Sequence, residues 1–65
     1  MLDWKRVDAA LPKYNEKFPN DARHVAIYGG QIHVVSPIIG GDSAGQLQSW
    51  YSTGDPDDLY ALLEA

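Results

Sequence analysis

An α+β fold, with helices on one face of a three-stranded antiparallel sheet, is predicted by three observations. Trp4, Val7, Leu11, Tyr14 and Phe18 recur at steps of three and four, the spacing of one apolar stripe on a helix. Gly29-Gly30 divides two β-favouring runs, "HVAIY" and "QIHVV". A capped apolar run, "DPDDLYALL", lies near the end of the chain. The expected order is an N-terminal helix, a three-stranded meander and a short C-terminal helix. All belong to a single small domain spanning residues 1–65.

Asp3 occupies the N-cap position of the first helix, and Pro19 closes that segment. Pro12 removes the bond to the Asp8 carbonyl, so a kink or two short helices are expected; the stripe stays in phase across it, which favours the kink. Gly29-Gly30 supplies the positive φ angles of a two-residue hairpin turn. Tyr28 then faces Gln31, Ile27 faces Ile32, Ala26 faces His33 and Val25 faces Val34. In this register the aliphatic residues share one face, while His24 and His33 share the other.

Pro37 limits the second strand, and "IIGGDSAG" leads to a third in "QLQSWYST". Strict alternation there puts Leu47 and Tyr51 on the core face and points Trp50 outward, as an interface anchor. A β-bulge would instead turn Trp50 inward, and the sequence leaves both open. In the last helix Asp55 is the N-cap, Pro56 the first helical residue and Asp58 the capping-box residue. Leu59, Leu62 and Leu63 are its buried stripe.

A chain of 65 residues buries only about 60% of the surface its unfolded form exposes, so marginal stability is expected. The absence of cysteine excludes disulfides, thiolate zinc sites and cysteine catalysis. The sequence has no secretory h-region and no run of membrane-spanning length. It reads as a complete small gene product that is intracellular and soluble. A monomer is expected over a dimer, and the small core keeps an obligate oligomer as a further reading.

Net charge is −4, and it is unevenly distributed. All the basic residues (Lys5, Arg6, Lys13, Lys17, Arg23) precede His24, while Asp42, Asp55, Asp57, Asp58 and Glu64 follow it. Direct nucleic-acid binding needs a basic stripe, so a basic protein partner fits better.

"GDSAG" at 41–45 matches the G-x-S-x-G spacing of serine hydrolases and resembles the motif of the hormone-sensitive-lipase branch of the α/β-hydrolases. A nucleophile elbow needs a helix after the serine, and here a strand follows. Both histidines precede Ser43, whereas in that fold the histidine follows. The same residues are turn formers, and a turn is expected. His24 and His33 lie within reach of a bridging metal, but no third ligand is fixed near them. "DPDD" lacks the spread of a calcium loop and reads as a helix start. No catalytic residue, cofactor or metal is therefore expected.

A cysteine-free, acidic chain of this size and layout resembles the small anti-CRISPR proteins of phages and mobile elements. The resemblance is carried by the hairpin "HVAIYGGQIHVV", the Lys/Arg-free stretch from His24 to Ala65, and the acids within it. It implies a non-enzymatic inhibitor that binds a CRISPR effector stoichiometrically in the cytoplasm of a bacterial host. Asp42, Asp55, Asp57, Asp58 and Glu64 would stand in for DNA phosphates, with Trp50 beside them, and block the PAM duplex site. The alternative expectation is an antitoxin or immunity-type protein, also aimed at a basic partner.

Overall fold

In the computed structural model, which describes residues 1–65, the order is α1 (Trp4–Asn15), β1 (His24–Tyr28), β2 (Gln31–Pro37), β3 (Leu47–Thr53) and α2 (Pro56–Leu63). The strands form one antiparallel sheet in the order β1-β2-β3. This is the α+β layout read from the sequence.

Asp3 starts α1 by accepting hydrogen bonds from the Lys5 and Arg6 backbone N–H groups, at 3.1 and 3.3 Å. Leu2, before the cap, and Val7, in the second turn, are both buried in the same core cluster. That pair is a hydrophobic staple, which sets the angle at which the chain enters the helix. It also corrects the expected stripe. Leu2 covers the core end of the helix, and Trp4 is left 46% exposed.

Beyond the first turn the stripe holds: Val7 and Tyr14 are buried, and Ala10 and Leu11 pack against the cluster. The helix runs unbroken through Pro12. Asp8 and Pro12 both lie on the exposed side, so water can satisfy the carbonyl that proline leaves unbonded. Phe18 falls beyond the helix end, in the turn that leads to β1.

The first hairpin has the register the glycines predict, from Tyr28↔Gln31 through Ile27↔Ile32, Ala26↔His33 and Val25↔Val34 to His24↔Val35. Gly29 and Gly30 have φ of 59° and 74°. Ile32 and Val34 join Val7, Tyr14, Leu59 and Leu63 in the core, with Val25 and Tyr51 packed against it. Val35 is buried on the opposite face and is not part of that cluster.

β3 pairs with β2 through an irregularity: Val34 faces Tyr51, but Val35 faces Ser49. Trp50 is the extra residue of a bulge. Each bulge reverses the alternation beyond it, so Leu47 and Tyr51 do not share a face as strict alternation requires. Tyr51 packs on the core, while Leu47 sits opposite Pro37 and is exposed. Trp50 turns to the helix side, where its Nε1 donates to Ser36 Oγ at 2.7 Å.

The bulge completes a cage around Arg23, which is buried immediately before β1. Its guanidinium carbon lies 3.6 Å from the Phe18 ring centroid and 4.3 Å from that of Trp50. Nη1 donates to the Tyr14 hydroxyl at 3.1 Å, and Nε is buried without a partner. The Asn15 side chain holds the Arg23 backbone from both sides: its Nδ2 donates to the Arg23 carbonyl, and its Oδ1 accepts from the Arg23 N–H.

Two stability predictions follow from these contacts, both measured by urea or thermal unfolding. Gly30→Val costs about 1–2 kcal/mol, the penalty of left-handed backbone for a side chain; the space around a Cβ at Gly30 is open, so packing adds nothing. Arg23→Ala costs about 2–4 kcal/mol, from lost packing and cation–π contact. Arg23→Met costs less, because methionine fills the slot and leaves no buried N–H unsatisfied.

Candidate functional site

The densest group of acids lies at the start of α2. Asp55 caps the helix, its Oδ1 accepting from the Asp57 N–H at 3.0 Å. Asp58, the expected capping-box residue, does not close the box directly. The Thr53 hydroxyl accepts from the Asp55 N–H at 3.1 Å and donates to Asp58 Oδ2 at 3.0 Å. An aspartate is one methylene shorter than the usual glutamate, and the threonine bridges the difference.

Asp55, Asp57 and Asp58 are all exposed; a backbone N–H bonds Asp55 and a hydroxyl bonds Asp58, and none of the three forms an ion pair. Their negative charge is favoured by the positive end of the helix dipole. Proline at the first helical position adds no competing donor.

Glu64, at the other end of α2, is differently placed. Both its oxygens accept from Arg6, at 2.6 Å from Nε and 2.6 Å from Nη2. This forked contact holds the Glu64 carboxyl below the usual carboxylate range, and it raises Arg6 further above its ordinary value. Asp57 adds to the field that keeps Arg6 protonated, but the fork itself is taken by Glu64. Arg6 also stacks over the Tyr60 ring at 4.1 Å, and the Tyr60 hydroxyl accepts from the Asp3 N–H at 2.7 Å. Tyr60 is thereby buried, although it falls outside the leucine stripe.

Asp42 does not join these residues. It lies in the β2–β3 connection, beyond Leu47, whereas Asp55 follows Thr53 at the opposite end of β3. Seven extended residues separate the two ends by about 20 Å at the usual rise. The five acids therefore divide into a cluster of three, one neutralised glutamate and one remote aspartate. Trp50, 42% exposed, is tied to Ser36 and Arg23 on the helix side of the sheet.

Ser43 lies in an ordered turn. Gly41 and Gly45 flank it at φ of 69° and 88°, the Gln46 N–H donates to the Ser43 carbonyl at 3.0 Å, and a strand follows rather than a helix. The histidine with a serine partner is His33, whose Nδ1 is 3.0 Å from Ser49 Oγ. Its ring stacks on Tyr28 at 3.8 Å and 4°. His24 is on the same face, two pairs further along the ladder. No three His, Asp or Glu side chains converge on one point. A groove of about 360 Å³ runs between α1 and the end of α2; Ala9, Ala10, Tyr14 and Leu63 line it, with Lys13 and Lys17 beside them.

No helix is long and apolar enough to cross a membrane. Comparison with known proteins returns no matching family model, no similar curated protein and no similar solved structure.

The Arg6–Glu64 contact has a pH signature. Glu64 has a lowered pKa in the fold, so its contribution is fully present above the ordinary glutamate pKa and is lost as pH falls through the lowered value. The melting temperatures of wild type and Glu64→Gln are therefore expected to differ at neutral pH and to converge on acidification through and below the carboxylate range. High salt should narrow the neutral-pH gap, because side-chain exposure of 48% and 38% leaves the pair open to screening.

Proposed function

We propose that this chain is a non-enzymatic binding protein that presents the acidic first turn of α2 to a basic surface of a protein partner. The reading rests on one observation: Asp55, Asp57 and Asp58 are exposed together and none forms an ion pair, the fork of nearby Arg6 being filled by Glu64. A basic surface that ordinarily receives DNA phosphates is the complementary chemistry. The target class implied by the sequence resemblance is a CRISPR effector, bound where it reads duplex DNA. This reading requires the cytoplasm of a bacterial host.

The docking set is narrower than the five acids taken together. Asp57 is its centre, since Asp55 serves as the cap and Asp58 is tied to Thr53. Glu64 contributes little net charge while Arg6 grips it, and Asp42 lies at the far end of β3. A duplex carries one charge per about 1.7 Å of axis, so three carboxylates imitate only a short segment of backbone.

Asp57→Lys provides the test, with Asp42→Lys as the remote control. The first substitution costs about 0.3–1 kcal/mol of helix-dipole stabilisation, so circular dichroism must show a folded protein before binding is read. Purified CRISPR effectors are titrated with the protein, and duplex binding is followed by gel shift. The expected result is stoichiometric loss of DNA binding with wild type and Asp42→Lys, weakened with Asp57→Lys and at high salt. Simultaneous binding of DNA and protein, or equal affinity of the folded Asp57→Lys variant, would overturn the reading.

A further inference from the structure

We infer that β1 is a self-pairing edge, through which two copies of this chain join their sheets. β1 is bonded to β2 on one side only, and its sequence, His24-Val25-Ala26-Ile27-Tyr28, lacks the usual devices that protect a sheet edge. It has no lysine, no proline and no bulge. The other edge, β3, carries the Trp50 bulge, which disrupts regular pairing.

The order of side chains selects a second copy as the occupant. Read in either direction, the strand runs ring, aliphatic, alanine, aliphatic, ring. Antiparallel pairing about a two-fold axis at Ala26 sets Val25 against Ile27 of the second copy and His24 against Tyr28. The Tyr28–His33 stack already present within the chain is a contact of the same kind as the second pair. Ile27 is 55% exposed although it faces the helix side of the sheet, and the paired valine would cover it.

Backbone geometry agrees with this register. Residues flanking a two-residue turn form a hydrogen-bonded pair, and such pairs alternate along an antiparallel ladder. Tyr28, Ala26 and His24 therefore direct their N–H and C=O groups to β2, and Val25 and Ile27 direct theirs outward. A dyad at Ala26 makes Val25 and Ile27 the hydrogen-bonded partners on each side of it. Ala26 becomes the close, non-bonded pair, where a small side chain fits.

Charge permits the contact. No Lys, Arg, Asp or Glu lies in β1, so two copies of an acidic chain meet without opposing formal charges at the seam. The product is a six-stranded sheet, β3-β2-β1-β1-β2-β3, with the helices of both copies on one face. This departs from the monomer expected from the sequence.

Sedimentation equilibrium from about 1 μM to about 1 mM spans the affinities of weak to moderate pairing. Wild type is expected to reach twice the monomer mass within that range. Ile27→Pro removes an outward N–H and no bond to β2, so a folded variant should remain monomeric. Ala26→Cys supplies a second measurement that does not depend on the proline variant folding. Non-bonded antiparallel pairs sit about 4.5 Å apart at Cα, within disulfide reach. With no native cysteine, mild oxidation should yield a covalent dimer faster for Ala26→Cys than for Ser52→Cys on β3. A wild type that stays monomeric throughout, a dimer that persists in folded Ile27→Pro, or equal cross-linking of the two cysteine variants would overturn the inference.

Discussion

Arg23 is a buried cation whose partners are aromatic rings and a hydroxyl rather than a carboxylate. The Phe18 and Trp50 rings both lie against its guanidinium, and Tyr14 accepts from it. A guanidinium is planar and weakly hydrated, so it tolerates this arrangement better than an ammonium would. The contact joins the end of α1, the entry to β1 and the bulge of β3. Asn15 fixes the Arg23 backbone at the same point, and the chain turns from helix to sheet there. Without the bulge, alternation would carry Trp50 to the opposite face and open the cage.

A second tie secures the start of α1 to α2. Asp3, Tyr60, Arg6 and Glu64 form a connected group in which the Tyr60 ring is sheathed by Arg6 and its hydroxyl holds the Asp3 N–H. Between the two ties lies the core around Val7, Val34 and Leu59. The division of acids follows from this plan. Glu64 belongs to the structural tie, whereas the first turn of α2 retains exposed acids that form no ion pair.

Charge is also segregated by element. The three strands carry no Lys, Arg, Asp or Glu, and apart from Asp42 the charged residues lie in or beside the helices and the turn before β1. The edge pairing proposed at β1 and the acidic docking proposed at α2 would thus use separate parts of the surface. Because α2 follows β3, a dimer joined at β1 carries one acidic turn beside each outer strand. Two such turns would bind a repeated or symmetric basic surface with an avidity that one lacks.

The features legible in the sequence are those set by neighbours two or three residues apart. Asp3 caps the amides of Lys5 and Arg6, Asp55 caps that of Asp57, and Gly29-Gly30 determines the hairpin register through its own φ angles. Alternation then assigned Val25, Ile32 and Val34 to the core side, because a strand has period two. The candidate site was legible only as composition: acids were visible, but not which of them remained free. Glu64 meets Arg6 across 58 positions, and Asp3 meets Tyr60 across 57. No local pattern encodes such a pairing. Trp50 shows the same limit, since a bulge exists only between two paired strands and one strand's sequence is compatible with either facing. Local bonding and periodicity determined the elements and their order; the partners of Arg23, Trp50 and Glu64 were decided by packing those elements together, because each depends on a group brought close only by the fold.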